Sequence, residues 1–279
     1  MKIILIPVDF SKESEQALIV GASIARRISA RIVLPHMTKL DDGSLNQESP
    51  DSITNRIYNS KLIARRFDEF LNKEFLAGII IEPVLQNHID FINISSLALN
   101  ISADLIIMGT RGSKGILEIT NCSNTEHVVR NSSVPVLIVK NNGINFSSET
   151  MLFVSDFLEE SVDAYKRVFQ ISEMLSSKLN MLYINLPGKH FKSTIQMDKT
   201  LFNFFTKAEH QDPVAAIKMV NRFADFTIED GINNYSNLSS TDIIAIARHE
   251  RAGYSHMLQR SISEDVAKHS IKPILTVKI

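Results

Sequence analysis

The chain has one cysteine, Cys122. No disulfide can therefore form within it, and so sparse a use of thiol fits a reducing compartment. It also lacks an excess of either charge: 30 Lys and Arg stand against 31 Asp and Glu, a net charge of −1, with an isoelectric point near 6.7. Without a basic field nothing holds nucleic acid or an anionic membrane non-specifically, and neither is expected as a partner. No apolar run approaches the roughly 18 residues that a membrane-spanning helix requires. The opening run from Ile3 meets Pro7 and Asp9 too early for a signal-peptide core, so a cytoplasmic protein is expected. Catalytic signatures are missing as well. There is no His-Glu-x-x-His and no Gly-x-Ser-x-Gly, and the lone thiol has no sequence neighbour that suggests a metal site. No catalytic or metal-ligating residue is expected, although slow nucleotide hydrolysis stays open.

What is present is a repeat. The 279 residues, 44% apolar and 22% charged, suffice for two cores of ordinary domain size. Sliding the chain by 138 lays Ala103–Lys140 on Thr241–Lys278 without a gap, with eleven of thirty-eight positions identical, among them Asp104/Asp242, Gly115/Gly253, Ser123/Ser261 and Pro135/Pro273. A shift of 147 places Asp9-Phe10 on Asp156-Phe157, Ser14 on Ser161 and Ala17 on Ala164. The chain reads as a tandem duplication jointed near Asn141-Asn142-Gly143, a turn-forming cluster, giving domains over 1–142 and 147–279.

In the first copy short β-rich runs alternate with helical periodicity. Strands are predicted at Ile3–Val8, Arg31–Leu34, Ile79–Leu85, Leu105–Met108 and Val136–Val139. Between them come a helix capped by Ser11, a long helix over Ile53–Phe75, and helices at Phe91–Asn100 and Ser123–Arg130. Residues 38–52, rich in Asp, Gly, Ser, Asn and Pro, read as a mobile connection. Buried strands separated by helices imply a doubly wound parallel sheet of five strands in each copy, helices on both faces, with ligands beyond the carboxyl ends of the strands.

One stretch bears on ligands: "GTRGSKGILEITNCSNTE", residues 109–126, runs from the end of the fourth strand into a helix. Gly109 and Gly112 permit close backbone approach, Gly115 permits a turn, and the amides that open the helix form an anion site. Lys114 and Arg111 could meet phosphate charge. Spacing alone does not separate this from an ordinary glycine-bearing loop of an α/β fold. The stretch is neither a P-loop nor a dinucleotide fingerprint.

Together "ILIPVDFSKESEQAL", "ADLIIMGTRG" and "SNTEHVVRNSSVPVLIV" resemble the universal stress proteins, over nearly the whole chain as two tandem copies. The resemblance implies an adenine nucleotide alpha hydrolase-like fold and a module that binds ATP or AMP, with Mg2+ left open, acting in stress response or regulation. The family's ATP-binding pattern is Gly-x2-Gly-x9-Gly-Ser/Thr; Gly109, Gly112 and Ser123 match it, and Cys122 stands at the third glycine. By this likeness Pro7, Val8 and Asp9, flanked by Met37, would hold the adenine. Met108 and Gly109 would touch base and ribose, and Arg111, Gly112, Ser113, Ser123, Asn124 and Thr125 the phosphates. Asp9 has a second reading, as a cap of the helix that begins near Ser11. The family's last strands pair, which implies an edge-to-edge pseudo-dimer of the two copies; a homodimer is a further possibility.

The second copy departs from the pattern. Ala247-Arg248-His249-Glu250 replaces Gly109-Thr-Arg-Gly112, and Arg260 replaces Cys122. Two close-approach positions are lost and Glu250 would repel phosphate. Arg248, His249, Arg251, His256 and Arg260 make a basic cluster that reads as solvated surface or as a site for an anion or acidic partner. Three readings of the whole result: a nucleotide-binding module working through the first copy, a ligand-free scaffold of the same fold, and a very weak ATPase.

Overall fold

The computed structural model describes residues 2–36, 50–84, 93–110, 124–140, 146–248 and 272–279. The first half runs β1 (Ile3–Leu5), α1 (Lys12–Ile28), β2 (Arg31–Pro35), α2 (Pro50–Leu71), β3 (Ile81–Val84), α3 (Ile94–Asn100), β4 (Leu105–Thr110), α4 (Asn124–Asn131) and β5 (Val136–Lys140). The second half follows with β6 (Thr150–Val154), α5 (Val162–Met174), β7 (Lys178–Asn185), α6 (Thr194–Lys207), α7 (Pro213–Met219), β8 (Val220–Ala224), α8 (Ile228–Leu238), β9 (Ile243–Arg248) and β10 (Ile274–Lys278).

Among the described residues, ten strands form one sheet in the order β3-β2-β1-β4-β5-β10-β9-β6-β7-β8. Each half is a parallel, doubly wound α/β unit with the same strand order. The seam between them is antiparallel, with Ile274 opposite Ile138, Leu275 opposite Leu137 and Thr276 opposite Val136. The carboxyl ends of the first half's strands thus point the opposite way to those of the second.

The core follows from the double winding. On the face covered by α1, α2, α5 and α6, one apolar cluster runs across the seam, from Ile4, Leu18 and Phe67 through Val139 and Val277 to Phe153 and Phe204. On the other face the described residues form two clusters, with Leu5, Ile94, Met108 and Val128 in the first half and Leu152, Ile184, Ile232 and Ile244 in the second. Arginines add bonds across the seam: Arg27 donates to the Ser148 hydroxyl and the Ser176 carbonyl, Arg167 to the Ser133 carbonyl, and Arg248 to the Arg130 and Ser132 carbonyls.

Several boundaries differ from the sequence reading. β1 ends at Leu5, three residues before Val8, because Pro7 has no N–H to give a ladder; Val8 returns as an isolated bridge to His36. The long helix closes at Leu71 and Phe75 falls in a separate 3-10 turn, Glu74–Leu76. The third strand begins at Ile81, with Leu85 outside the described residues, and β4 and β5 extend to Thr110 and Lys140. Most of the 38–52 connection lies outside the described residues, as do 91–92 at the start of the third predicted helix, which is described over Ile94–Asn100. Among the described residues no helix is long and apolar enough to cross a membrane.

Candidate functional site

β1 and β4 are neighbours, yet the chain leaves β1 towards β2 on one side and β4 towards β5 on the other. Such a switch in strand order opens a crevice beyond the carboxyl ends. Leu5 lies opposite Ile106, and the segments Pro7–Asp9 and Met108–Thr110 both begin two residues beyond that pair, at the same end of the sheet.

Pro7 and Val8 are buried, and Asp9 is exposed. The Val8 amide donates to the Pro35 carbonyl at 2.9 Å, and its carbonyl accepts from His36 Nδ1 at 3.1 Å. With a carbonyl as partner, Nδ1 must carry the proton, which leaves Nε2 as an acceptor when the ring is neutral. Phe10 follows in a left-handed conformation, φ 60°. Its ring lies 4.5 Å from that of His36 and 5.0 Å from that of Phe67, with the Arg66 guanidinium 5.9 Å from its centroid.

Asp9 Oδ1 accepts the Ser11 amide at 3.0 Å and the Ser11 hydroxyl, whereas Oδ2 has no bond among the described residues. Partial desolvation raises the Asp9 pKa, but the bonds from Ser11, with a further contribution from Ser14, outweigh it and hold the carboxyl below its ordinary value. Asp9 is therefore an acceptor only at neutral pH. The helix cap itself is Ser11, whose hydroxyl accepts from the Ser14 amide at 3.2 Å; Asp9 braces the capping residue. A shallow depression of about 420 Å³ beside Asp9 is lined also by Phe10, Ser11, Arg66, Glu69, Phe70 and Lys73.

The Met108 side chain is 3% exposed and packs in the α3/α4 core, so its backbone alone is available to a ligand. Gly109 has an internal reason to be glycine: a Cβ there would lie 1.8 Å from the Glu13 carbonyl oxygen of α1. Asn124, exposed, and Thr125, half-buried, open α4. Met37, Arg111, Gly112, Ser113, Cys122 and Ser123 lie outside the described residues.

The second half differs at the position of Asp9. Asp156, the counterpart of Asp9, is 5% exposed and bonds the Leu158 amide. Phe157, again left-handed at φ 54°, is packed against Phe204 and Tyr183. Arg248, expected in a surface cluster, is 8% exposed, and its guanidinium donates at 2.7 Å to the Arg130 carbonyl and at 3.2 Å to that of Ser132. Burial is explained by this pairing, since a desolvated cation needs acceptors. The other members of that cluster lie outside the described residues. His36 follows β2 directly before Met37, and nothing in the sequence singles it out. Among the described residues no group of three His, Cys, Asp or Glu could hold a metal ion.

Residues 1–140 match the model of the universal stress protein family. No curated protein matches the chain. A universal stress protein from Archaeoglobus fulgidus DSM 4304 is similar in structure with a TM-score of 0.70 at 19% identity, covering 99% of this chain and 96% of its own. A functionally unknown protein from Pseudomonas aeruginosa PAO1 is similar with a TM-score of 0.56 at 13% identity, covering 100% of this chain and 92% of its own. At these identities the likeness carries the fold.

Proposed function

Because the chain belongs to the universal stress protein family, we propose that its first half binds an adenine nucleotide, ATP or AMP, in the crevice between β1 and β4, and that occupancy alters shape or partner choice in a stress response. The observation that carries this reading is Asp9. Its carboxylate stands exposed beyond β1, with Oδ1 committed to Ser11 and Oδ2 without a bond among the described residues. An acceptor-only group fits the amino group of adenine and disfavours the carbonyl that guanine presents at the same position. The backbones of Pro7, Val8, Met108 and Gly109, with Met37, would line base and ribose. Arg111, Gly112, Ser113, Cys122, Ser123, Asn124 and Thr125 would surround the phosphates, where the amides opening α4 favour negative charge. Any Mg2+ would arrive with the phosphates.

The second half takes no nucleotide in this reading, since its aspartate is buried and its loop has lost two glycines. The domains divide at residues 142 and 147, and the protein works in the cytoplasm, in keeping with its single cysteine. Calorimetric titration of the full chain with ATP and with AMP tests the proposal. One site per chain is expected, lost in Asp9→Ala. Two equal sites would refute the asymmetry; no heat, with no nucleotide released from purified protein, would refute binding altogether.

A further inference from the structure

We infer that Arg248, helped by Arg167, is a positioning residue through which the second half holds α4 in place for phosphate binding by the first. The inference rests on the nucleotide reading above. α4 has eight residues, Asn124–Asn131, and two turns of helix are scarcely stable on propensity alone. Its first turn carries Asn124 and Thr125, at the phosphate end of the proposed site. Its last turn leaves carbonyls without intrahelical donors. The second half supplies donors for that end: Arg248 at the end of β9 reaches the carbonyls of Arg130 and Ser132 at 2.7 and 3.2 Å, and Arg167 of α5 reaches that of Ser133 at 2.9 Å.

The antiparallel seam makes this possible. It sets the carboxyl end of β9, one strand away across β10, near the amino end of β5, where α4 finishes. Cationic donors at a helix carboxyl end also oppose the negative end of its dipole. The support runs one way. Under the repeat shifts, Arg248 corresponds to Thr110 and Arg167 to Val20, and neither of those can donate a charged bond in return. A residue directly after Ala247, one of the close-approach positions lost in the second half, thus serves the ligand site of the first.

The test compares ATP with adenosine on the full chain. Both would meet Asp9, but only ATP would engage the opening of α4. Arg248→Gln should weaken ATP binding by about tenfold, within the usual range for coupled sites, and leave adenosine binding unchanged. Amide hydrogen exchange over residues 124–131 should quicken in the same variant. Arg248→Lys should restore part of the ATP affinity, and Arg167→Gln, at an exposed residue, should give a smaller loss of the same kind without threatening the fold. Equal losses for ATP and adenosine would mean a general structural role and overturn the inference, as would unchanged ATP affinity. A wild-type chain that binds neither ligand would overturn the nucleotide reading and the positioning role with it; the exchange data would then report separately whether Arg248 holds α4.

Discussion

Gly109 and Glu13 meet more closely than any side chain would allow, for a Cβ on the glycine would lie 1.8 Å from a backbone oxygen and 2.3 Å from its carbon. Backbone cannot swing aside as a flexible side chain can. Gly109→Ala should therefore cost about 1–3 kcal/mol, the usual penalty for overpacking; an unchanged urea midpoint would show that α1 yields freely. The second half has Ala247 at this position, and there the counterpart of Glu13, Glu160, lies in a 3-10 turn, Glu159–Ser161, ahead of α5. Sequence reasoning found the glycine and assigned its closeness to a ligand, because spacing reveals that room is needed and not what fills it. His36 is a second residue whose environment only the fold discloses. Desolvation depresses its pKa, Arg66 depresses it further, and the Val8 carbonyl and Asp9 act in opposition. A base whose folded pKa lies below its ordinary 6.5 resists protonation in the native state. Its stability is thus complete above pH 6.5 and lost as pH falls through the folded value. Thermal unfolding should fall in temperature between pH 8 and pH 5.5, and His36→Asn, which retains a donor near the Nδ1 position, should flatten that slope.

Among the elements, α1 was the most legible, since Ser11 and the apolar face behind it announce both the start and the buried side. Its cap is also the brace of Asp9, so one substitution should act twice. Ser11→Ala should cost about 1 kcal/mol, as removal of a capping hydroxyl usually does. It should also raise the Asp9 pKa towards its ordinary value, because the hydroxyl bond that lowers it is gone. An NMR titration of the Asp9 carboxyl would detect the shift; no movement would mean that the Ser11 amide alone sets it. Element ends were less legible. An apolar period does not record where donors run out, so Ile3–Val8 read as one strand although Pro7 interrupts the ladder. Arg248 was least legible of all: its partners are carbonyls 116 and 118 residues away, and backbone acceptors leave no mark in a sequence. At the seam, Val136–Lys140 and Ile274–Lys278 each satisfy the other's open edge.

At the scale of the whole molecule the duplication survives most clearly in the backbone. Left-handed residues recur at the repeat shift of 147, Phe10 with Phe157 and Ser29 with Ser176, while the side chains that would meet a ligand have diverged. The same duplication predicts that a single copy is incomplete. Residues 1–142 alone expose the β5 edge and the part of the core that continues across the seam, and should self-associate in light scattering; a soluble monomer at high concentration would contradict this. The antiparallel seam has one more consequence. A parallel joint would have set both crevices on one rim, within reach of one partner at once. Here the carboxyl ends of the two halves' strands face opposite poles, so the molecule has a head and a tail. Immobilised by its second-half pole, it would turn the proposed nucleotide site towards solution; immobilised by the first, it would hide that site and display the second half's end instead. Orientation on a surface, rather than affinity, would then decide whether the nucleotide state can be read.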